Sequence, residues 1–148
     1  MSRTAEEWGR IAVSLPGWRW MPGMLAAGPT GPRGGRPRVI ITGTMSRDDA
    51  PRAVDFKGRR CPAWYALNCD ETEVSIDPDD PATAGCLLAL LGPRAHMHSP
   101  SCDWEETDYW EFVIRLSDNG ERRVYGDTLG RACIAGAEAL GRWPGGAA

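Results

Sequence analysis

Two histidines and three of the five cysteines are the residues whose types and positions suggest a metal site. His96, His98 and Cys102 lie close together, and Cys61 and Cys69 lie upstream. Imidazole and thiolate are the donors that tetrahedral zinc prefers. The chain contains neither a Cys-x2-Cys nor a His-x3-His pair, so the spacing matches no familiar zinc finger or ribbon. We therefore expect no cofactor, and His96, His98 and Cys102 are the first ligands to test for zinc.

Nucleophilic catalysis is the second chemistry that these residues suggest. Cys102 and Asp103, with His96 or His98, supply the residue types of a nucleophile, an orienting acid and a base. No oxyanion motif accompanies them, no Gly-x-Ser-x-Gly sequence occurs, and the glycine-rich stretch 31–35 lacks the lysine and hydroxyl pair of a phosphate loop. The sequence contains no recognisable catalytic constellation. A small metal-dependent or Cys/His hydrolase therefore ranks behind the two binding functions that are described below.

The densest group of ligand-binding residue types lies in 15–24, which reads Leu-Pro-Gly-Trp-Arg-Trp-Met-Pro-Gly-Met. The two Pro-Gly steps should hold the segment between them in one shape. In extended backbone Trp18 and Trp20 point the same way while Arg19 points the opposite way. One face can plug the core between the first helix and the first strand, which is the role we expect for at least one tryptophan. The other tryptophan, with Arg19, can face a ligand.

The net charge of −3 hides a strong separation of charge along the chain. Residues 33–60 carry eight basic groups against three acids, whereas residues 70–111 carry eleven acids against Arg94 alone. Because an aromatic ring stacks on a base and a guanidinium forks onto a phosphate, a nucleotide or another small phosphorylated ligand suits the basic stretch. Duplex nucleic acid is not expected, because the whole chain is acidic. The residues predicted to bind the small ligand are Trp18, Arg19, Trp20, Arg36, Arg38, Arg59 and Arg60.

The acidic stretch supports a different class of partner. A surface rich in carboxylates can imitate nucleic acid and occupy the basic groove of a host protein. The plainer alternative is that both charged stretches are solvated faces. If segments of opposite charge meet between copies, the chain forms a homo-oligomer.

Length and composition indicate one domain, 1–148, since 148 residues with 42% hydrophobic content suit a single core. The start of the chain has no basic region followed by an apolar run, and no stretch approaches the roughly 18 apolar residues of a membrane span. We therefore expect a cytoplasmic protein with no membrane partner. An odd number of cysteines, five, indicates free thiols in a reducing compartment. The composition of 28–37 and 43–60 predicts flexible loops.

Capping and helix-ending residues mark three helices in the sequence. Residues 4–7 form a capping box, from which a first helix runs to about Leu15. Asp80 can cap a second, buried helix that Gly92 ends, so the nearby Asp77 and Asp79 are better explained by a turn and a helix start than by a metal site. Asp127 or Thr128 can cap the last helix.

Apolar alternation and turn residues predict six strands around these helices, at 24–27, 38–42, 63–67, 71–77, 110–116 and 122–125. The last two flank Asn119 and Gly120, which favour a type I′ hairpin turn, whereas 96–107 is predicted to be a polar connector. The order αββββαββα indicates an α+β domain. We expect one antiparallel sheet of about five to six short strands, with the three helices mostly on one face.

Two blocks of the sequence resemble a group of small uncharacterised proteins of bacteriophage and prophage genomes. They are 15–24 and the helix-forming block 79–91, Asp-Asp-Pro-Ala-Thr-Ala-Gly-Cys-Leu-Leu-Ala-Leu-Leu, supported by the alanine-rich last helix. The resemblance implies a phage context and no particular chemistry. The resulting prediction is a non-catalytic binding protein that interferes with a host system, most simply by sequestering a nucleotide. The alternative is an acidic factor that occludes a host defence or transcription protein.

Overall fold

The computed structural model describes residues 3–44, 50–98, 110–115 and 120–146, with the backbone alone at 94–98 and 146. Within these ranges the chain forms four α-helices and nine strands. The helices are α1 (Ala5–Ser14), α2 (Ala63–Leu67), α3 (Pro81–Leu91) and α4 (Leu129–Leu140). The strands are β1 (Leu25–Ala27), β2 (Arg38–Ile40), β3 (Gly43–Thr44), β4 (Pro51–Val54), β5 (Arg60–Pro62), β6 (Ser75–Ile76), β7 (Ala95–His98), β8 (Trp110–Arg115) and β9 (Glu121–Gly126). Short 3-10 helices cover Glu71–Glu73, Gly92–Arg94 and Pro144–Gly146.

The strands form three small antiparallel sheets, in the orders β2-β1-β6, β3-β4-β5 and β7-β8-β9. The α+β class is confirmed, but the single sheet of five to six strands with three helices is wrong. Part of the difference arises in 43–60, where the polar composition predicted a loop. That stretch instead contributes β3, β4 and the start of β5, which pair with one another and form a sheet of their own.

The helix boundaries that rest on capping chemistry are confirmed. At the start of α1 the Thr4 hydroxyl accepts a hydrogen bond from the Glu7 N–H, and the Glu7 carboxylate accepts one from the Thr4 N–H. Asp80 accepts from the Thr83 N–H at the start of α3. Thr128, rather than Asp127, caps α4 through the Arg131 N–H. Each cap satisfies a backbone donor that the helix itself leaves unpaired.

Of the strands predicted in the middle of the chain, 63–67 is wrong and 71–77 is confirmed only in its last part. Residues 63–67 form helix α2, which buries Ala63 and Leu67, four positions apart, and ends at Asn68 in the left-handed conformation. Residues 71–73 form a 3-10 helix, so that only Ser75–Ile76 of the predicted strand pairs with β1. Side-chain capping prevails over alternation there, because the Asp70 N–H donates to the Glu73 carboxylate at 3.0 Å.

The connectors are partly as predicted. Residues 28–37 contain neither helix nor strand. The predicted connector 96–107 is wrong at its start, since β7 runs to His98 and pairs with β8; its remainder, 99–107, lies outside the described residues. Asn119 of the predicted type I′ turn also lies outside them. The paired strands β8 and β9 confirm the predicted hairpin itself. No helix in the described part of the chain is long and apolar enough to cross a bilayer.

The tryptophan-rich segment joins α1 to the core beside the carboxyl end of the chain. The Trp143 side chain is fully buried, donates through Nε1 to the Ala12 carbonyl at 2.9 Å, and packs against the Trp18 ring at 5.9 Å between centroids. Gly17 has φ +83°, and a Cβ there would lie 2.4 Å from the Trp143 carbonyl oxygen. The close approach therefore requires glycine, and it places the two tryptophans that follow.

Candidate functional site

A groove of about 710 Å³ lies between helix α2 and the β4–β5 hairpin. Aromatic side chains with unusual exposure line it: Phe56 is 93% exposed, Tyr65 56% and Trp64 38%. Val39 and Val54 add aliphatic surface to the same groove. Large apolar side chains that stay in water around one concave surface are typical of an interaction site. We call this surface the aromatic groove.

The hairpin holds Phe56 in place by an internal set of hydrogen bonds. One carboxylate oxygen of Asp55 accepts from the N–H groups of Lys57 and Arg59, both at 2.9 Å, and the other accepts from Arg59 Nε at 3.1 Å. These bonds, first the one from the Arg59 N–H, lower the pKa of Asp55. Gly58 completes the turn with φ +78°. The backbone that carries Phe56 is thus ordered, which reduces the backbone entropy lost on binding.

Helix α2 supplies the opposite wall. Its short length lets it bury Ala63 and Leu67 while Trp64 and Tyr65 remain outside the core. The two outer rings meet edge to face, with centroids 6.2 Å apart and planes at 81°. The two rings are in a favourable edge-to-face contact and together form one aromatic wall of the groove.

The charge in the aromatic groove is negative. The described residues that line it include the carboxylates of Asp70 and Glu73, and that of Asp55, which is paired with Arg59. None of these described lining residues is basic, although Lys57 Nζ lies 5.7 Å from the centroid of the Phe56 ring. Cys69 also lines the groove, and burial, together with the charges of Glu73 and Asp70, raises the pKa of its thiol. An apolar surface with acidic neighbours favours a ligand that is both apolar and cationic.

The tryptophans singled out in the sequence lie beside this groove. Trp18 and Trp20 pack edge to face, with centroids 5.3 Å apart and planes at 87°, and both are partly buried against the core. They line a cavity of about 270 Å³, whose lining also includes Trp64. Trp18 Nε1 is buried with no hydrogen-bond partner among the described residues. Arg19, between them, is exposed.

The arginines Arg36 and Arg38 lie in another place, a polar cleft of about 580 Å³ at the amino ends of α1 and α3. Arg36 donates to the Gly28 carbonyl at 3.0 Å and to the Ser75 hydroxyl at 2.9 Å. Arg38 Nε lies 3.5 Å from an oxygen of the buried Asp77. Both guanidinium groups therefore already face partners within the protein.

Carboxylates of the polar cleft are also engaged within the protein. Asp79 accepts two hydrogen bonds from Arg131, both at 2.9 Å, and one from the Thr128 hydroxyl at 2.8 Å. Burial alone would raise the pKa of Asp79, but these hydrogen bonds lower it. The cleft thus joins the starts of α3 and α4 by ion pairing, a contact that the turn interpretation of these aspartates did not include.

The other two predicted ligand-binding arginines, Arg59 and Arg60, lie on the β4–β5 hairpin. Arg59 is bound to Asp55 on the hairpin, and Arg60 is exposed on β5. Neither lines the aromatic groove, the tryptophan cavity or the polar cleft. The structure therefore distributes the seven predicted residues over three places, and their joint binding of a phosphorylated ligand stays a prediction.

The candidate zinc ligands cannot be placed in the same way. The backbone of His96 and His98 lies in β7, their side chains are outside the described part, and so is Cys102. Among the described residues, no three His, Cys, Asp or Glu side chains form a group suited to a metal ion. The described cysteines, namely Cys61, Cys69, Cys86 and Cys133, are free thiols as predicted. Burial raises the pKa of Cys133 to about 12, which suits a core residue.

Comparison of the chain with protein-family models, with curated proteins and with solved structures gives no match. Similarity to a known protein therefore does not decide its function. Any functional conclusion rests on the groove, the cavity and the cleft themselves.

Sequence reasoning missed Phe56, Trp64 and Tyr65 as site residues. A signal for Phe56 was present, because one large aromatic residue stands in a polar, turn-rich stretch with Gly58 close behind it. Trp64 and Tyr65 were hidden by the prediction of a strand, which would have placed successive side chains on opposite faces. A helix instead carries both rings toward the groove.

Proposed function

We propose that this chain is a non-catalytic binding protein that captures a basic, apolar segment of another protein in the aromatic groove. The observation that carries the proposal is the exposure of Phe56, Trp64 and Tyr65 around a concave surface lined by carboxylates. Aromatic anchors in such surfaces commonly supply most of the binding energy of an interface. The adjoining acids favour arginine and lysine in the partner.

A host protein is the partner that we favour, with interference as the outcome. Support comes from the resemblance of blocks 15–24 and 79–91 to small phage and prophage proteins. The acidic groove also agrees with the sequence-based alternative of an acidic factor that occupies a basic surface. The proposed contact involves Asp70, Glu73 and the aromatic residues beside them rather than the whole acidic stretch 70–111.

Sequestration of a nucleotide is the second candidate. In its favour, Arg36 and Arg38 line one cleft with the amino ends of two helices. The aromatic groove is a poor place for a phosphate, because its carboxylates repel the anion. The polar cleft offers arginines, but its described lining contains no aromatic ring for the base.

The test is a titration with a short peptide in which arginine and leucine alternate, called here the Arg-Leu peptide. Its matched controls replace every arginine by glutamate or every leucine by serine. We expect the Arg-Leu peptide to bind and each control to bind at least about tenfold more weakly, since both charge and apolar contact contribute. Equal binding of the glutamate control would contradict the proposal.

Variants locate the contact. Phe56→Ala and Tyr65→Ala should each weaken binding of the Arg-Leu peptide by about tenfold or more. Ile40→Ala is the matched control, because Ile40 is 62% exposed on β2 but does not line the aromatic groove. Loss of binding in Ile40→Ala alone would place the contact elsewhere.

Two other occupants are distinguished in the same series. If a nucleotide raises the melting temperature while the Arg-Leu peptide has no effect, sequestration replaces the present proposal. If sedimentation shows a dimer that Phe56→Ala dissociates, a second copy fills the aromatic groove and the proposal of a foreign segment is wrong.

A further inference from the structure

The cavity beside the aromatic groove has the composition of a site for an organic cation. Its lining includes the indole rings of Trp18, Trp20 and Trp64, together with Thr72. Among the described residues that line it, Glu71 is the one that carries charge, and it is exposed. Electron-rich rings and a carboxylate both favour a positive ligand.

The ring geometry supports this assignment. Trp18 and Trp20 both line the cavity and pack edge to face, with centroids 5.3 Å apart and planes at 87°, and Trp18 also packs against the buried Trp143, so the Trp18 ring is fixed by neighbours on two sides. Trp64 contributes a third indole from α2. Tryptophan gives the strongest cation–π attraction among the aromatic side chains, and several rings around one space are the arrangement that recognises alkylated ammonium groups.

Size limits what the cavity can accept. Its volume of about 270 Å³ lies below the roughly 300 to 1,000 Å³ of pockets for drug-sized ligands. A single cationic head group is therefore the appropriate occupant. An alkylated ammonium is favoured over a bare one, because it gives up less hydration when it enters an aromatic site.

Trp64 connects this cavity to the aromatic groove, since it lines both. The geometry points to a cation cage formed by Trp18, Trp20, Trp64 and Glu71 that takes an alkylated ammonium group. In the protein partner proposed above, that group is carried by a lysine side chain from the segment in the groove. This last step rests on the proposed function, whereas cation binding by the cage does not.

Choline is the probe, with 3,3-dimethylbutan-1-ol as its uncharged isostere. Nuclear magnetic resonance titrations of the folded chain follow the indole N–H signals. We expect choline to shift the signals of the cage tryptophans and the isostere to bind at least about fivefold more weakly, because the ring attraction requires the charge. Equal binding of the two molecules, or no shift with choline, would overturn the cation cage.

Variants make the assignment specific. Trp64→Leu removes one wall at a partly exposed position, and Glu71→Gln removes the charge, so both should weaken choline binding. Trp8→Leu and Glu121→Gln are the matched controls outside the cage, with Glu121 on the exposed face of β9. Choline affinity that survives Trp64→Leu and Glu71→Gln would overturn the assignment.

The experiments distinguish failure of the cation-cage proposal from failure of the proposed function of the aromatic groove. Choline binding without binding of the Arg-Leu peptide would support the cage and contradict the proposed function. Peptide binding that Phe56→Ala abolishes, in a chain that does not bind choline, would support the groove and overturn the cage. If both hold, a peptide containing trimethyllysine should bind more tightly than its unmodified counterpart, and Trp64→Leu should remove that advantage.

Discussion

The aromatic groove and the polar cleft are two concave surfaces of similar size with opposite internal chemistry. In the cleft, Arg36, Arg38, Asp79 and Asp80 find partners within the protein. In the groove, Asp55 and Glu73 also have partners within the protein, but the aromatic side chains of Phe56 and Tyr65 remain more than half exposed. Polar groups that are paired within the protein stabilise the fold. Apolar surface that is exposed to water favours association, because its burial by a partner lowers the free energy. The comparison assigns stability to the cleft and binding to the groove.

The largest expected effect belongs to the cleft side. Thr83 is fully buried, and its hydroxyl accepts from the Leu25 N–H at 2.7 Å and donates to Asp80 at 2.9 Å. Thr83→Val keeps the shape but leaves the Leu25 donor unpaired, so the free energy of unfolding should fall by roughly 2 to 3 kcal/mol. Chemical denaturation measures the loss, and the exposed Thr44→Val is the control. A loss no larger than that of the control would refute this role for the cleft.

The next effect is a pH-dependent loss in Asp79→Asn. Because the folded-state pKa of Asp79 is lowered, its stabilisation is present above the unfolded pKa of about 3.9 and is lost as pH falls through the folded pKa. We expect a loss of about 1 to 2 kcal/mol at pH 7, after allowing for a side chain one-third exposed, and a smaller loss at pH 3, below the unfolded pKa. Urea denaturation at both pH values measures it. Glu121→Gln, on the exposed face of β9, is the control; a deficit that persists unchanged at pH 3 would exclude the ion pair as its cause.

Capping residues made three of the four described helices predictable, whereas Phe56 is the one aromatic residue of the groove for which the sequence carried a signal. Thr4, Asp80 and Thr128 act on donors one turn away, so local sequence was sufficient for α1, α3 and α4. Helix α2 depends on the burial of Ala63 and Leu67 against distant residues, and its local pattern suggested a strand. The distribution of the predicted ligand residues among three places likewise depends on tertiary packing, which spacing does not encode.

A smaller effect concerns the thiol in the aromatic groove. Cys69 should react slowly with iodoacetamide at neutral pH and faster as pH rises, because its pKa is raised. The Arg-Leu peptide at twice its dissociation constant should slow the reaction about threefold by mass action. Mass spectrometry of the labelled Cys69 peptide follows the rate, with Cys86 as the internal control. Equal rates for Cys69 with and without bound peptide would place the peptide outside the groove.

The smallest effect is the stability change of Phe56→Ala. A side chain 93% exposed contributes almost nothing to the core, so the free energy of unfolding should change by less than about 0.5 kcal/mol. Thermal and chemical denaturation both measure this. A loss of the size expected for Thr83→Val would mean that Phe56 serves the fold, and the contrast between groove and cleft would fail.

The most direct measurement compares variants of the aromatic groove and of the polar cleft in one experiment. Calorimetric titration with the Arg-Leu peptide and denaturation are carried out on the original chain, on Phe56→Ala and on Asp79→Asn. We predict that Phe56→Ala loses about tenfold or more in affinity at unchanged stability, whereas Asp79→Asn loses stability at unchanged affinity. Full affinity in Phe56→Ala together with lost affinity in the folded Asp79→Asn chain would contradict the account.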